Sequence, residues 1–156
     1  MGDAEPRIRP AYPSEARVLT RVAWLAKAHW GYPEAWMETW RDDLTRTPEF
    51  VERYDVFVAQ PEVAIAGWIG LRPDSLGRMQ VSDLWVLPEW IGRGIGKALF
   101  LHAKNHLKTR GYAHFFVESD PNAAAFYEKL GGERVGEYRY TLHGVERCLP
   151  EFRFDV

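Results

Sequence analysis

The stretch Leu84-Trp85-Val86-Leu87-Pro88-Glu89-Trp90-Ile91-Gly92-Arg93-Gly94-Ile95-Gly96-Lys97-Ala98-Leu99 decides how the rest of the chain is read. It opens as an apolar strand, breaks at Pro88, and then sets glycine at every second position, Gly92, Gly94 and Gly96, directly ahead of an amphipathic run. Glycine lets the backbone approach an anion with no Cβ in the way. The first amides of a helix have no internal partner and lie at the positive end of its dipole. Arg93 and Lys97 add positive charge at the same place. The pattern predicts a pyrophosphate site. Two rival phosphate motifs fail here: the Walker loop needs glycine where Ile91 stands and a hydroxyl where Ala98 stands, and G-x-G-x-x-G meets Lys97 or Leu99 at its last glycine. Magnesium-dependent nucleotide chemistry and NAD or FAD are therefore not expected. A plain strand-to-helix turn is the bland alternative, but alternating glycines destabilise a turn that does not use its exposed backbone.

Val86-Leu87-Pro88 followed by Arg93-Gly94-Ile95-Gly96-Lys97-Ala98-Leu99 resembles the acetyl-CoA motif of the GNAT superfamily of N-acetyltransferases, in which a strand ending in V-x-P precedes a Gly-x-Gly or Gly-x-Ala turn. Ile91 departs from the pattern, standing where the family usually has Gln or Arg. A second segment, Asp120-Pro121-Asn122-Ala123-Ala124-Ala125-Phe126-Tyr127-Glu128-Lys129-Leu130-Gly131, resembles the family's N-x-x-A-x-x-F-Y-x-x-x-G. Counted back from Tyr127, the family's asparagine falls on Asp120, and Asn122 is displaced by two. Asp120-Pro121 by itself reads as an N-cap followed by proline at the first helical position, so Asn122 is carried as the cofactor contact. The wider likeness runs from Tyr54 to Tyr140.

Length and composition set bounds. With 156 residues the chain is long enough for one well-buried domain and short for two, so 1–156 is read as a single domain. Hydrophobic residues make up 46% of the chain, which is ample for a core. A formal net charge of -2 gives no general attraction to nucleic acid or anionic membranes, so partners must be sought in a pocket. The single cysteine, Cys148, leaves no intrachain disulfide and fits a reducing compartment, where it reads as packing. No apolar run approaches the roughly 20 residues of a membrane span, and Met1 to Pro10 is too charged for a secretory signal, so a cytoplasmic location is expected.

Periodicity supplies the elements. Ile8-Arg9-Pro10 reads as a strand, then Pro13-Ser14 opens a helix with Val18, Val22, Leu25 and Ala26 on one stripe, ending near Gly31. A second helix follows Pro33 with Trp36, Met37, Trp40 and Leu44 at three- and four-residue spacing. Val56 to Val58, Val63 to Leu71 and Met79 to Val86 read as strands joined by short turns, hence antiparallel neighbours. A helix from Gly94 with Ile95, Leu99, Ala103, His106 and Leu107 on one side ends at Gly111. A strand His114 to Glu118, a helix Asn122 to Leu130 and strands Arg134 to Tyr140 and Cys148 to Phe154 complete the chain. The order β-α-α-β-β-β-α-β-α-β-β implies a mixed, mostly antiparallel sheet with helices on both faces, the α/β order of the GNAT fold. An exposed edge among the last strands would permit a homodimer.

The resemblance implies an acyltransferase that moves the acetyl group of acetyl-CoA to a primary amine of a small molecule or peptide. Trp85, Val86, Ile91, Gly92, Arg93, Gly94, Ile95, Gly96, Lys97 and Asn122 would hold the cofactor, and a backbone amide near Val86 would steady the developing oxyanion. It also implies that Tyr127 protonates the departing thiolate, against the alternative that Tyr127 is a core aromatic on the Ala123, Tyr127, Leu130 stripe. An alkyl amine with a pKa around 10 must lose a proton before it attacks. Several family members carry a glutamate at the position that falls on Gln80, and an amide cannot serve. Asp83, a carboxylate in an otherwise apolar strand, is expected to take the proton directly or through water. Regular alternation would put it on the face opposite Gln80 unless a bulge intervenes. Glu118 has a similar claim from the next strand, and a water chain with no single base stays open. His29-Trp30-Gly31-Tyr32 either walls the acceptor pocket or packs on the core. His102 and His106 are four apart on a helix, but Ala103 replaces the glutamate of H-E-x-x-H, and metal binding is not expected. A degenerate domain that binds acyl-CoA as a sensor, suggested by Gln80 and Ile91, is the alternative from another class, and transfer of a longer acyl group a weaker third.

Overall fold

The computed structural model describes residues 6–156, so the reading of Met1 to Pro10 falls in part on residues outside those described. The elements are β1 (Ile8–Pro10), α1 (Ala16–Ala28), α2 (Glu34–Thr39), α3 (Arg41–Leu44), α4 (Pro48–Arg53), β2 (Asp55–Ala59), β3 (Gly67–Pro73), β4 (Met79–Val86), α5 (Ile95–Thr109), β5 (His114–Glu118), α6 (Ala124–Lys129), β6 (Glu133–Leu142) and β7 (Val145–Asp155). The strands form one seven-stranded sheet in the order β1-β2-β3-β4-β5-β7-β6. Every neighbouring pair is antiparallel except β4 and β5.

Two cores lie back to back on this sheet, and β2 shows how one strand feeds both. Val56 and Val58 face α1 to α4, where they meet Leu19, Val22, Met37 and Trp68; Phe57 and Ala59 face α5, where they meet Leu99, Phe100, Ala103 and Leu107. Alternation along a strand is the whole cause. Trp68 is fully buried, and its indole N–H donates to the Leu19 carbonyl at 2.9 Å, which satisfies the one polar atom that burial would otherwise penalise. β3 begins at Gly67 rather than Val63, which is 91% exposed. A Cβ at Gly67 would stand 2.7 Å from the Trp85 carbonyl, so the close approach of β3 to β4 requires glycine there.

The helix expected after Pro33 is broken. α2 and α3 meet at Trp40, yet the amide of Trp40 still donates to Trp36 (3.1 Å) and that of Leu44 to Trp40 (2.9 Å), which is why the apolar stripe survives the break. α4 was not anticipated. Its signal is Thr47-Pro48: Thr47 Oγ1 accepts from the Phe50 amide at 3.2 Å and proline fills the first helical position. Gly111, with φ of +87°, ends α5 as the sequence suggests.

Candidate functional site

β4 and β5 hold each other only through Gln80 with Phe116 and Val81 with Val117. Beyond those pairs the two strands separate, and the separation opens the sheet itself. At the same point the register of β4 against β3 slips: Leu71 pairs Val81 and Gly70 pairs Asp83, leaving Ser82 as an extra residue in a β-bulge that bends the strand. The bulge also answers a question of facing. Gln80, opposite Arg72, and Asp83, opposite Gly70, lie on the same side of the sheet although three positions apart. Gly70 is needed there, since its absent Cβ would sit 3.2 Å from Asp83 Oδ2.

Three spaces run through the opening. On the α5 side a cavity of about 210 Å³ is lined by Ile91, Gly96, Asn122, Ala123 and Phe126 together with Trp30, Trp85, Val86 and Tyr127. On the α1 side a larger cavity of about 650 Å³ is lined by Lys27, Trp40, Arg46, Arg72, Tyr138, Tyr140 and Arg147 with Asp42, Asp43, Asp83, Glu118 and Asp120. A neck of about 70 Å³ between Val81 to Trp85 and Val117 to Asp120 shares residues with both, Tyr127 with the first and Glu118 with the second.

The first cavity is a backbone surface. Gly92 and Gly94 have φ of +78° and +81°, in the left-handed region, and Gly94 caps α5. The first helical bond of α5 runs from the Ala98 amide to the Gly94 carbonyl at 3.0 Å, so the amides of Ile95, Gly96 and Lys97 have no acceptor within the helix. Gly96 has ordinary φ, and a Cβ there would meet Phe126 at 3.5 Å and Val86 at 3.6 Å, filling the cradle rather than straining it. Ile95 turns its side chain into the core, and Ile91 is half exposed at the cavity rim. The Arg93 guanidinium stacks 4.0 Å from the Trp90 ring centroid, and Lys97 is exposed on the first turn. Val86 lines this cavity only, whereas Trp85 lines all three spaces and donates its indole N–H to Asp83 at 3.1 Å.

Tyr127 sits where the first cavity meets the neck. Its ring is buried among Phe100, Phe126, Phe152 and Phe154, and its hydroxyl bonds to no described residue. Burial pushes that hydroxyl well above the ordinary tyrosine range, and the Asp83 charge adds to the shift. The proton stays on until a strong base appears. The core position and a free hydroxyl are thus both true of one residue.

The two carboxylates of the neck differ. Asp83 is 3% exposed and closely held: it accepts from Arg46 Nη2 at 2.7 Å, Ser82 Oγ at 2.8 Å and the Trp85 indole. Three donors thus occupy three of the roughly four acceptor sites of the carboxylate. Glu118, at the end of β5, bonds to nothing described, and Glu151 stands directly opposite on β7, itself held by Arg78 at 3.2 Å. Glu118 is exposed by surface area, and the partial desolvation of its carboxyl, reinforced by the Glu151 charge, moves its pKa upward from the ordinary value.

Asp120 proves to be more than a cap. It accepts from the Asn122 amide at 2.8 Å as a cap does, and it also binds the Tyr32 hydroxyl at 2.8 Å, Lys27 Nζ at 3.3 Å and Arg147 Nη2 at 3.7 Å. Asn122 Nδ2 joins the same cluster, donating to Tyr32 at 2.9 Å. Tyr32, Trp36 and Trp40 form an aromatic wall, with Lys27 Nζ 4.0 Å from the Trp40 ring centroid and Arg147 4.9 Å from that of Tyr32. Burial lowers the Lys27 pKa, opposed by the Asp120 charge. Of the loop 29–32, His29 is exposed, Trp30 lines the first cavity and the neck, and Tyr32 packs. His106 lies 3.1 Å from Asp55, and both His102 and His106 rest edge-on against Phe57, away from the opening. No helix among the described residues is long and apolar enough to cross a membrane.

Known proteins share this fold. A GCN5-related N-acetyltransferase from Rhodopseudomonas palustris superposes with a TM-score of 0.83 at 21% identity, over 100% of this chain and 99% of that one. PaiA N-acetyltransferase from Thermoplasma acidophilum, solved in complex with coenzyme A, gives 0.79 at 19% identity over 98% and 100%. The chain is also 32% identical over 149 residues to a mycothiol acetyltransferase from Nocardiopsis dassonvillei, an alignment covering 81% of this chain but only 45% of that relative. Residues 19–132 match the family model described as Acetyltransferase (GNAT) family, and with most of its length matched the chain belongs to that family.

Proposed function

We propose that the protein transfers the acetyl group of acetyl-CoA to a primary amine of a small molecule or peptide, across the opening between β4 and β5. The observation that carries this is the neck, where an unbonded, high-pKa Tyr127 hydroxyl and an unpaired, raised Glu118 carboxyl face one passage from its two ends. Bound acetyl-CoA supplies a thioester whose carbonyl carbon takes the amine and whose sulfur leaves as a thiolate. The amides of Ile95, Gly96 and Lys97 hold the pyrophosphate over Gly92 to Gly96, in the cradle that a Cβ at Gly96 would fill. Unpaired β4 edge groups beyond Val81 line the passage for the pantetheine arm. Ile91 gives no side-chain contact to phosphate, and the site relies on backbone.

Glu118 takes the proton from the incoming ammonium, directly or through a water. Its raised pKa brings it nearer to the amine's own and makes it a stronger base when ionised. Asp83, tied by three donors, keeps Arg46 and the bulge in place instead and is a positioning residue. Tyr127 delivers its proton to the thiolate and regains one from solvent along the neck. The test is release of free thiol from acetyl-CoA on adding a library of primary amines. Amine-dependent thiol release with an acetylated product supports the reading; tight coenzyme A binding with no release would make the chain an acyl-CoA-binding module.

A further inference from the structure

The 650 Å³ cavity carries charges of both signs, and its cations are matched within the protein with one exception. Lys27 and Arg147 converge on Asp120, and Arg46 on Asp83. Arg72 has no carboxylate. It projects from β3 into the cavity, half-buried, with its guanidinium 5.4 and 5.9 Å from the ring centroids of Phe50 and Tyr54, and none of its N–H groups bonds to a described residue. A guanidinium offers five donors in a planar fork shaped for a carboxylate or phosphate, and that of Arg72 is open to the cavity. Arg46 also lies by Phe50, 4.8 Å from the ring centroid and nine-tenths buried. Its Nε is the one sealed side-chain polar atom without a partner among the described residues. That Nε is sealed from the cavity and the Arg46 charge is met by Asp83, so Arg72 is the cation of this wall that no described carboxylate matches.

We infer that this wall is an anion subsite: the acceptor carries a carboxylate or phosphate that the Arg72 guanidinium grips. The inference rests on the acetyltransferase reading above. Geometry also sets the spacing. Arg72 and Glu118 stand on strands separated by β4, at least two strand spacings or roughly 10 Å apart at the backbone. That separation favours an acceptor whose amine and anion are several bonds apart over an α-amino acid, which carries both on one carbon. The fitting acceptor is an ω-amino acid, a peptide with a lysine near its carboxyl end, or an aminoalkyl phosphate. Asp42 and Asp43 stand at the solvent-exposed rim of the same cavity, where salt screens them, and would favour a second cation instead.

The experiment compares kcat/KM for a straight-chain ω-amino acid, an aminoalkyl phosphate, the alkylamine of equal length and the matching diamine. An anionic acceptor should lead the plain alkylamine by about tenfold or more, with the better of the two identifying carboxylate or phosphate. Arg72→Met keeps the stem and removes the fork, so the lead should collapse toward one, while Arg72→Lys retains part of it. A wild-type lead for the diamine overturns the inference, as does an Arg72→Met variant of normal thermal stability that keeps the ratio while losing rate on every acceptor alike. Calorimetric titration of the ω-amino acid and the alkylamine onto coenzyme A-saturated protein reads the subsite without turnover. Absence of thiol release with every amine would break the acetyltransferase reading, whereas equal affinities in that titration would break the anion subsite.

Discussion

The two ends of the opening are built by opposite rules. The α5 end comes from one contiguous stretch and offers backbone: two left-handed glycines, three helix-turn amides and a missing Cβ. The α1 end draws on α1, α3, β3, β4, β5, β6 and β7 and offers side chains that mostly hold one another, Asp120 with Lys27, Tyr32 and Arg147, Asp83 with Arg46 and Ser82. A ligand that never changes can be met by main chain, which no substitution alters except through glycine. A ligand that differs between relatives has to be met by side chains, and those need a scaffold of their own.

If this contrast is right, damage at the two ends should differ in kind. Asp120→Ala should act on stability, because it leaves Lys27 and Arg147, 12% and 8% exposed, as buried cations without their carboxylate. The expected loss is about 3–5 kcal/mol, a fall in Tm of roughly 10 °C. A variant that melts normally would deny the α1 end its scaffold. Gly94→Val should do the converse, cutting coenzyme A affinity by several hundredfold in calorimetry, with a strain of only about 1–2 kcal/mol on the fold. Unchanged affinity with normal unfolding would end the backbone reading of the loop.

Smaller effects sharpen the boundary at the neck. Tyr127→Phe removes only the hydroxyl, so kcat should fall about a hundredfold while coenzyme A affinity is nearly kept; full turnover would return the ring to packing. Glu118→Gln should lower kcat/KM by roughly ten- to thirtyfold near neutral pH and abolish its acidic limb, with less loss at high pH where the amine is already neutral. Stability should move the other way. Folding raises the Glu118 pKa above its unfolded value, so its contribution is favourable below the unfolded pKa and is lost as pH rises through the folded one. At pH 7 the Gln variant should therefore melt no lower than the parent, with any gain vanishing in acid; a clear drop in Tm at pH 7 would contradict the unpaired state of Glu118.

What could be read from the chain follows the same division. The sheet, its antiparallel pairs, the two-faced packing of β2 and the glycine turn before α5 are local patterns with a period or a motif behind them. Asp120 was legible as a cap because a cap is local, but its bonds to Lys27 and Tyr32 span 93 and 88 positions, and no spacing rule reaches that far. Arg72 and Arg46 escaped notice for the same reason. Asp83 looked available because an isolated carboxylate in an apolar strand signals burial and hides its donors. Glu118 could be named as a rival, but its freedom from partners is a tertiary fact. The stripe from Trp36 to Leu44 continues through the break at Trp40 and masks it, whereas the short α4 carries its own local signal in Thr47-Pro48.

The bulge in β4 has a consequence for redesign. In such a bulge the surplus residue and its successor face the same way, as Ser82 and Asp83 do, their side chains 2.8 Å apart. Deleting Ser82 would leave Gln80, Val81, Asp83, Leu84 and Trp85 each on its present side and would take away only the kink. With the strand straight, the β4 edge beyond Val81 would lie nearer to Glu118 at the end of β5, and the passage would narrow with every proposed reactive group still present. The kink beside the gap is recorded in the chain as a count of residues, one more than the ladder needs.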